Sequence, residues 1–258
     1  MKVRVEENRR LSADFLRMRI DWPGALPEPL PGQFVMVRTR NSTDPLWRRP
    51  FGVHDFSSVG GSASAALLYQ VVGPTTRDLA AIAAGKSIDL LGPFGSGFDL
   101  RGKEHWLVAG GRGVAPLFFL ARRLSEEGKS LRAMVGGCTE SHVMQVEELR
   151  NIGCPTEVAT EDGSLGRRGM VTDLLGSGLE RMSDERRKDV VISACGPEGM
   201  LRSIGGMASD YAVTARLSLD TLMACGQGYC QGCTVKTRSG YSLCCREGPV
   251  FDADVLTW

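Results

Sequence analysis

Nothing in this chain is long and apolar enough to span a bilayer. The longest apolar stretch, "AGGRGVAPLFFLA" (109–121), is short, glycine-rich and interrupted by an arginine. The opening "MKVRVEENRRL" lacks the apolar core of a secretory signal, so a cytoplasmic protein with no membrane partner is expected. Charge of one sign is also missing. The net charge is +1 and no basic block stands out, which argues against a nucleic-acid partner. There is no internal repeat and no low-complexity tract. No Ser/His/Asp or paired-carboxylate arrangement suggests hydrolysis, so catalysis is expected to run on a cofactor. Histidine is scarce: His54, His105 and His142 are the only three, and all are expected at the solvated surface.

Cysteine, by contrast, is concentrated. Five of the eight cysteines fall in the last 34 residues, at Cys225, Cys230, Cys233, Cys244 and Cys245, while Cys138, Cys154 and Cys195 are scattered. Without a secretory signal, such crowding reads as a metal site and not as a disulfide framework. Cys225-x4-Cys230-x2-Cys233 is the plant-type ferredoxin spacing, which needs a fourth cysteine further on. Cys244 and Cys245 both qualify. Gly226, Gly228 and Gly232 give the loop freedom to wrap a cluster and aim N–H groups at sulfur. Structural zinc usually takes paired C-x2-C knuckles, so the single run favours a [2Fe–2S] cluster.

The rest of the chain divides into two patterns. In the first hundred residues, short apolar runs such as "QFVMVRT" (33–39) and "AALLYQVV" (65–72) alternate with Pro and Gly clusters, predicting a small antiparallel barrel. One helix is predicted in "TRDLAAIAAG", with Thr76 as its cap and Gly85 as its stop. From about residue 103 the pattern becomes strand, glycine turn, helix: "HWLVAGG" (105–111), "APLFFLARRLSEEG" (115–128), "LRAMVGG" and "DVVISACG" (189–196). That alternation predicts a parallel sheet with crossover helices. We therefore expect a multi-domain β plus α/β protein: an antiparallel β-barrel (1–101), a parallel-sheet nucleotide-binding α/β domain (102–214) and a small C-terminal [2Fe–2S] module (215–258).

Two glycine turns point to a dinucleotide. In "LVAGGRGVAPL" (107–117), Gly110, Gly111 and Gly113 lie between a buried strand and a helix start, where free N–H groups can receive a pyrophosphate. In "ACGPEGML" (194–201), Cys195, Gly196 and Pro197 end another strand of the same sheet. Ligands of open parallel sheets sit at these carboxyl ends, so a nicotinamide nucleotide is expected. Such a nucleotide exchanges a hydride and an iron–sulfur cluster exchanges single electrons, so a flavin is expected between them. Its candidate contacts lie in the barrel. "WRRPFGVHDF" (47–56) offers Arg48, Arg49, Pro50 and Phe51, and the turn "VVGPTTRDL" (71–79) offers Gly73, Thr75 and Thr76. "LLGPFGSGFDL" (90–100) adds Gly92, Gly95 and Gly97.

These pieces, in this order, resemble the ferredoxin–NADP reductase superfamily, and more closely the electron-transfer subunits of NAD-linked dihydroorotate dehydrogenases. The resemblance covers nearly the whole chain. It rests on Arg49-Pro50 as the flavin motif, on "GPFGSGF" (92–98) and on "GGRGVAP" (110–116). "EDGSLGRRGMVTDLL" (161–175) and "CREGPVF" (245–251) complete it. The last match selects Cys245 over Cys244 as the fourth ligand. The resemblance implies FAD in the barrel, NAD in the second domain, and a cluster on Cys225, Cys230, Cys233 and Cys245. It also implies an FMN-containing (β/α)8 partner that oxidises dihydroorotate, in a heterotetramer serving pyrimidine biosynthesis. The chain departs from the family in three places. Gly52 replaces the Ser or Thr after the arginine–proline motif, Thr75 replaces a glycine, and Arg112 replaces a small or apolar residue. Arg112 either assists a pyrophosphate or fills its site. "GGCTESHV" (136–143) has no arginine cluster for a 2′-phosphate, which favours NAD over NADP. Two alternatives stay open: a flavin–iron–sulfur subunit of another reductase complex (ferredoxin:NADP, sulfide or hydrogenase type), or a non-catalytic carrier with an impaired nucleotide site. Retention of cysteine at 225 speaks against the ferredoxin:NADP type, where some relatives have Asp.

Overall fold

The computed structural model describes residues 1–39 and 46–258. The chain begins as strands because its apolar residues recur at every second position. In "FLRMRID", Leu16, Met18 and Ile20 are buried while Arg17 and Arg19 are not. Strands β1 (Lys2–Arg10), β2 (Phe15–Asp21), β3 (Phe34–Arg38), β4 (Arg49–Val59) and β5 (Ser62–Gln70) precede helix α1 (Pro74–Ala80), and β6 (Ser87–Phe94) follows it. The strands close into an antiparallel barrel in the order β1-β2-β5-β4-β3-β6. The cap of helix α1 lies three residues before the expected Thr76, and the helix stops well short of Gly85. Pro74 already holds the φ of a first helical turn, so Gly73 becomes the cap. Thr76 still serves the turn: its hydroxyl accepts from the N–H groups of Val72 (2.9 Å) and Gly73 (3.0 Å).

The second unit contains β7 (Glu104–Gly110), α2 (Val114–Glu126), β8 (Ser130–Gly137), α3 (Val146–Asn151), β9 (Thr156–Thr160), β10 (Arg167–Arg168), α4 (Val171–Glu180), α5 (Asp184–Arg187), β11 (Val190–Cys195), α6 (Glu198–Asp210) and β12 (Thr214–Ser218). β11 is buried along its whole length and β7 along all but its first residue, as strands covered on both faces must be. The hairpin β13 (Thr234–Thr237) and β14 (Gly240–Leu243) follows. The last strand, β15 (Val250–Asp252), joins the edge of the parallel sheet, giving the order β10-β9-β8-β7-β11-β12-β15. β15 runs antiparallel to β12, with Phe251 opposite Leu217.

Helix α2 belongs to two cores. Phe119 is buried in the barrel core, while Leu117, Phe118 and Leu120 are buried against the sheet. Each such side chain contributes roughly 2 kcal/mol on burial, so α2 cannot shift without exposing one core or the other. Among the described residues no helix is long and apolar enough to cross a membrane.

Candidate functional site

The cysteine loop follows β12 without regular structure until β13. Gly226 and Gly228 hold positive φ (+68° and +87°), and the backbone there is pinned from both sides. A Cβ on Gly226 would stand 2.5 Å from Met36 Cγ, and one on Gly228 would collide with the Arg246 side chain. Gly232 does not hold a positive φ; its neighbour Gln231 does (+59°). The expected N–H···S bonds are present. Gln227 and Cys230 donate to Cys225 Sγ at 3.4 and 3.5 Å, and Cys245 N–H donates to Cys233 Sγ at 3.4 Å. Burial acts to raise the Cys225 thiol, but the Gln227 and Cys230 donors outweigh it and bring it down to about 6.

The thiols fall into two pairs, Cys225 and Cys230 toward solvent, and Cys233 and Cys245 buried. Among the described residues no three His, Cys, Asp or Glu side chains converge as they would on one ion. A two-iron cluster is held by four thiolates, two on each iron. Cys244 is turned away and fully buried, with its thiol directed at the Leu219 carbonyl (3.8 Å) and pushed up to about 11 by burial.

The loop's neighbour, Met36, sits on β3 directly opposite Pro50 on β4. The arginine–proline motif is therefore one strand away from the cysteines. Its two arginines have different tasks. Arg48 ion-pairs with Asp89 (2.6 Å), which also receives Arg38 (2.9 Å). Arg49 is exposed, and among the described residues it donates only to the backbone carbonyls of Trp47 and Arg48, which leaves its guanidinium without a carboxylate partner among them. Phe51 stands edge-on to Tyr69, with centroids 6.0 Å apart. Thr75 is buried at the start of α1. The turn containing Gly92, Gly95 and Gly97 clasps the C-terminal segment. Ser96 N–H donates to Gly248 O (2.6 Å), Ser96 Oγ donates to Glu247 O (2.8 Å), and Gln33 reaches Gly95 O (2.7 Å).

The two dinucleotide turns come together as expected. β7 and β11 are adjacent and parallel, with Ala109 opposite Cys195, so both turns emerge at the same carboxyl edge. Gly113 presses on the Cys195 carbonyl so closely that no Cβ would fit, and a Cβ on Gly110 would lie 2.8 Å from Pro197. Cys195 is buried and burial pushes its thiol up to about 12, so it is a neutral thiol and not a nucleophile. Arg112 is exposed, and its Nη2 reaches Asp220 Oδ2 at 3.3 Å. Beyond β8, Glu161 and Asp162 bond through their N–H groups to the Gly137 and Cys138 carbonyls (3.1 and 3.3 Å).

Histidine was misjudged. His105 is fully buried in β7 and His142 is half-buried beside Thr139. His54 is 1% exposed, stacked on Phe118 at 4.8 Å, and donates from Nδ1 to the Ala115 carbonyl at 2.9 Å. Burial lowers its pKa and keeps it neutral. Next to it Asp55 receives Arg122 of α2 at 2.6 Å. These contacts bind β4 to α2, which fixes the glycine turn before α2 against β4; the Cβ position of Gly52 lies 3.7 Å from Pro116. A bulge between Val53 and Asp55 breaks the alternation of β4, so that the neighbours Val53 and His54 are both buried, and periodicity in the sequence gives no sign of it.

A closed barrel carrying an arginine–proline motif, joined to a parallel sheet with paired glycine turns, defines an oxidoreductase component of the ferredoxin–NADP reductase class. The fold matches a ferredoxin NADP+ reductase from Neisseria gonorrhoeae with bound FAD and NADP (TM-score 0.68, 14% identity, 82% of this chain and 91% of that one). It matches the NADH-dependent reduced ferredoxin-NADP oxidoreductase more fully (TM-score 0.86, 28% identity, 99% and 90%). Residues 220–257 match the iron–sulfur cluster binding domain of dihydroorotate dehydrogenase B. Over 98% of its length the chain is 37% identical to the dihydroorotate dehydrogenase B (NAD(+)) electron transfer subunit of Caldanaerobacter subterraneus subsp. tengcongensis, covering 97% of that protein. It is 36% identical to an electron transfer subunit homolog from Aquifex aeolicus (97% and 96%). The chain belongs to the family of dihydroorotate dehydrogenase B electron transfer subunits.

Proposed function

We propose that this chain carries electrons from a dihydroorotate-oxidising partner to NAD+, with FAD in the barrel (1–101), NAD at the second domain (102–214) and a [2Fe–2S] cluster in the last segment (215–258). The observation that carries this reading is the position of Met36, which touches the cysteine loop at Gly226 and pairs with Pro50 of the flavin motif. Short-range electron exchange needs that contiguity. When bound, the flavin supplies the change between single-electron and hydride chemistry. Arg49, which has no carboxylate partner among the described residues, is the proposed cation for its phosphate, and Pro50, Phe51, Gly52, Gly73, Thr75 and Thr76 complete the proposed flavin set, with Gly92, Gly95 and Gly97 at the junction. Gly110, Gly111, Gly113, Cys195, Gly196 and Pro197 line the nucleotide crevice.

Cys225, Cys230, Cys233 and Cys245 are the proposed thiolate ligands, and their backbone donors favour the charged sulfur. The carboxylates Glu140, Glu161 and Asp162 near the end of β8 oppose a 2′-phosphate, which favours NAD, although Arg167 and Arg168 lie opposite Ala159 and Thr160 on the neighbouring strand. The partner is proposed to be an FMN-bearing (β/α)8 subunit in a cytoplasmic heterotetramer. Anaerobic titration of the purified chain tests the core of this reading. NADH should bleach the flavin and reduce the cluster, and NADPH should do so poorly. A flavin that stays oxidised under NADH but is reduced by dithionite would overturn the NAD assignment.

A second reading, a subunit of an electron-bifurcating reductase, is supported by the likeness to the NADH-dependent reduced ferredoxin-NADP oxidoreductase. Co-purification distinguishes the two: the first requires a tightly bound flavoprotein that oxidises dihydroorotate.

A further inference from the structure

Arg112 occupies the middle of the turn Gly111–Gly113, where the family pattern has a small or apolar residue. Its ion pair with Asp220 spans from the nucleotide loop to the first residue of the matched iron–sulfur segment. The two side chains are 59% and 63% exposed, and Arg112 is the only cation paired with Asp220 among the described residues. Gly113, next to Arg112, presses on the Cys195 carbonyl at the end of β11, and Asp220 lies two residues after Ser218, the β12 partner of Cys195. The pair therefore stands over the carboxyl end of β11, at the mouth of the crevice between the two glycine turns. The space beside Gly111 is open, with nothing within 4 Å of a Cβ placed there.

A single exposed carboxylate contact of this kind holds a guanidinium weakly. A phosphate takes the same group through two parallel N–H bonds, and here the free N–H groups at the start of α2 would hold that phosphate in place. We propose that Arg112 is a pyrophosphate-binding residue held in reserve by Asp220, and that a dinucleotide entering the crevice takes the guanidinium from the carboxylate and so unties the nucleotide loop from the iron–sulfur segment. This rests on the reading of the crevice as a dinucleotide site.

Calorimetric titration of the flavin-loaded chain with ADP-ribose, which has the pyrophosphate but no redox-active ring, tests the exchange. Asp220→Ala removes the competitor and should tighten binding about threefold. Arg112→Ala should weaken it about tenfold, with Arg112→Lys in between. The double variant should bind as Arg112→Ala alone, because Asp220 acts only through Arg112. All variants should melt with the wild type, since the pair is exposed; if Arg112→Ala fails to fold, Asp220→Ala and Arg112→Lys carry the test. Equal weakening by Arg112→Ala and Asp220→Ala would make the pair a simple brace and overturn the proposal. So would wild-type affinity in Arg112→Ala. A wild-type chain that neither binds ADP-ribose nor is reduced by NADH would instead remove the dinucleotide reading itself.

Discussion

Alanine at Gly113 should force the two glycine turns apart. The backbone there is ordinary (φ −61°), so the substitution carries no conformational strain of its own. The difficulty lies opposite: the new Cβ would overlap the Cys195 carbonyl and stand 2.8 Å from Gly196 N. These are backbone atoms at the end of a central strand, hydrogen-bonded on both sides to β7 and β12, and cannot rotate away as a side chain would. Overpacking of this kind costs roughly 1–3 kcal/mol, which in a chain of this size lowers the melting temperature by about 5 °C. Affinity for ADP-ribose should fall further than stability, because the displaced turn carries the N–H groups proposed to meet the pyrophosphate. Gly111→Ala is the control two residues away. Its φ of +52° makes alanine unfavourable by roughly 1–2 kcal/mol, but nothing lies in the path of its Cβ, so the turns stay together. Thermal melts and ADP-ribose titrations of both variants decide the matter. If Gly113→Ala melts and binds as wild type while Gly111→Ala does not, close approach is not the reason for glycine at 113.

Other perturbations separate roles that the sequence places side by side. Cys245→Ser should abolish the visible absorption and low-temperature electron paramagnetic resonance signal of the cluster. Cys244→Ala should retain both and lose only about 1 kcal/mol in urea melts. Arg49→Ala should release flavin on dialysis with little change in melting temperature, whereas Arg48→Ala, which strips Asp89 of its shortest partner, should lower the melting temperature and retain flavin. His54 has a folded pKa below its ordinary 6.5, so its contribution is complete above pH 6.5 and is lost as the pH falls toward the folded value. Unfolding free energy should therefore decline from pH 7 to pH 5, by at most about 1.4 kcal/mol per pH unit for this group. His54→Gln should flatten part of that decline, the remainder belonging to buried His105, whose pKa burial also lowers. An unchanged slope in His54→Gln would refute its assignment as a neutral buried donor.

Local spacing carried the parts of this molecule that are local. Three cysteines within nine residues, glycines between a buried strand and a helix, and period-two runs in the barrel each encode their own geometry. The partners of those parts are set by the fold, and spacing does not reveal them. Arg112 and Asp220 are 108 residues apart, and Asp55 and Arg122 are 67 apart. His54 looked like a surface residue because histidine usually is one, and only the docking of α2 against β4 removes it from water. The final strand was hidden for a related reason. "GPVF" reads as part of a cysteine module, yet β12 needs an edge partner and Val250–Asp252 supply it.

Buried contacts also decide which parts of the relay can move. Met36, fully buried, joins the cysteine loop to β4. His54 and Asp55 bind that strand to α2, and α2 is anchored in two cores at once. Ser96 and β15 tie the C-terminal segment to the barrel and to the sheet. Separating any of these would expose apolar surface or leave buried donors unpaired, at several kcal/mol each time. Electron exchange along the chain should therefore proceed through a fixed frame and should not require domain rotation. The connection across the crevice mouth is of another kind: an ion pair with both members more than half exposed, weak enough for a ligand to exchange. If nucleotide occupancy is to be communicated to the iron–sulfur segment, that pair is the contact that can respond while the rest of the frame stays in place.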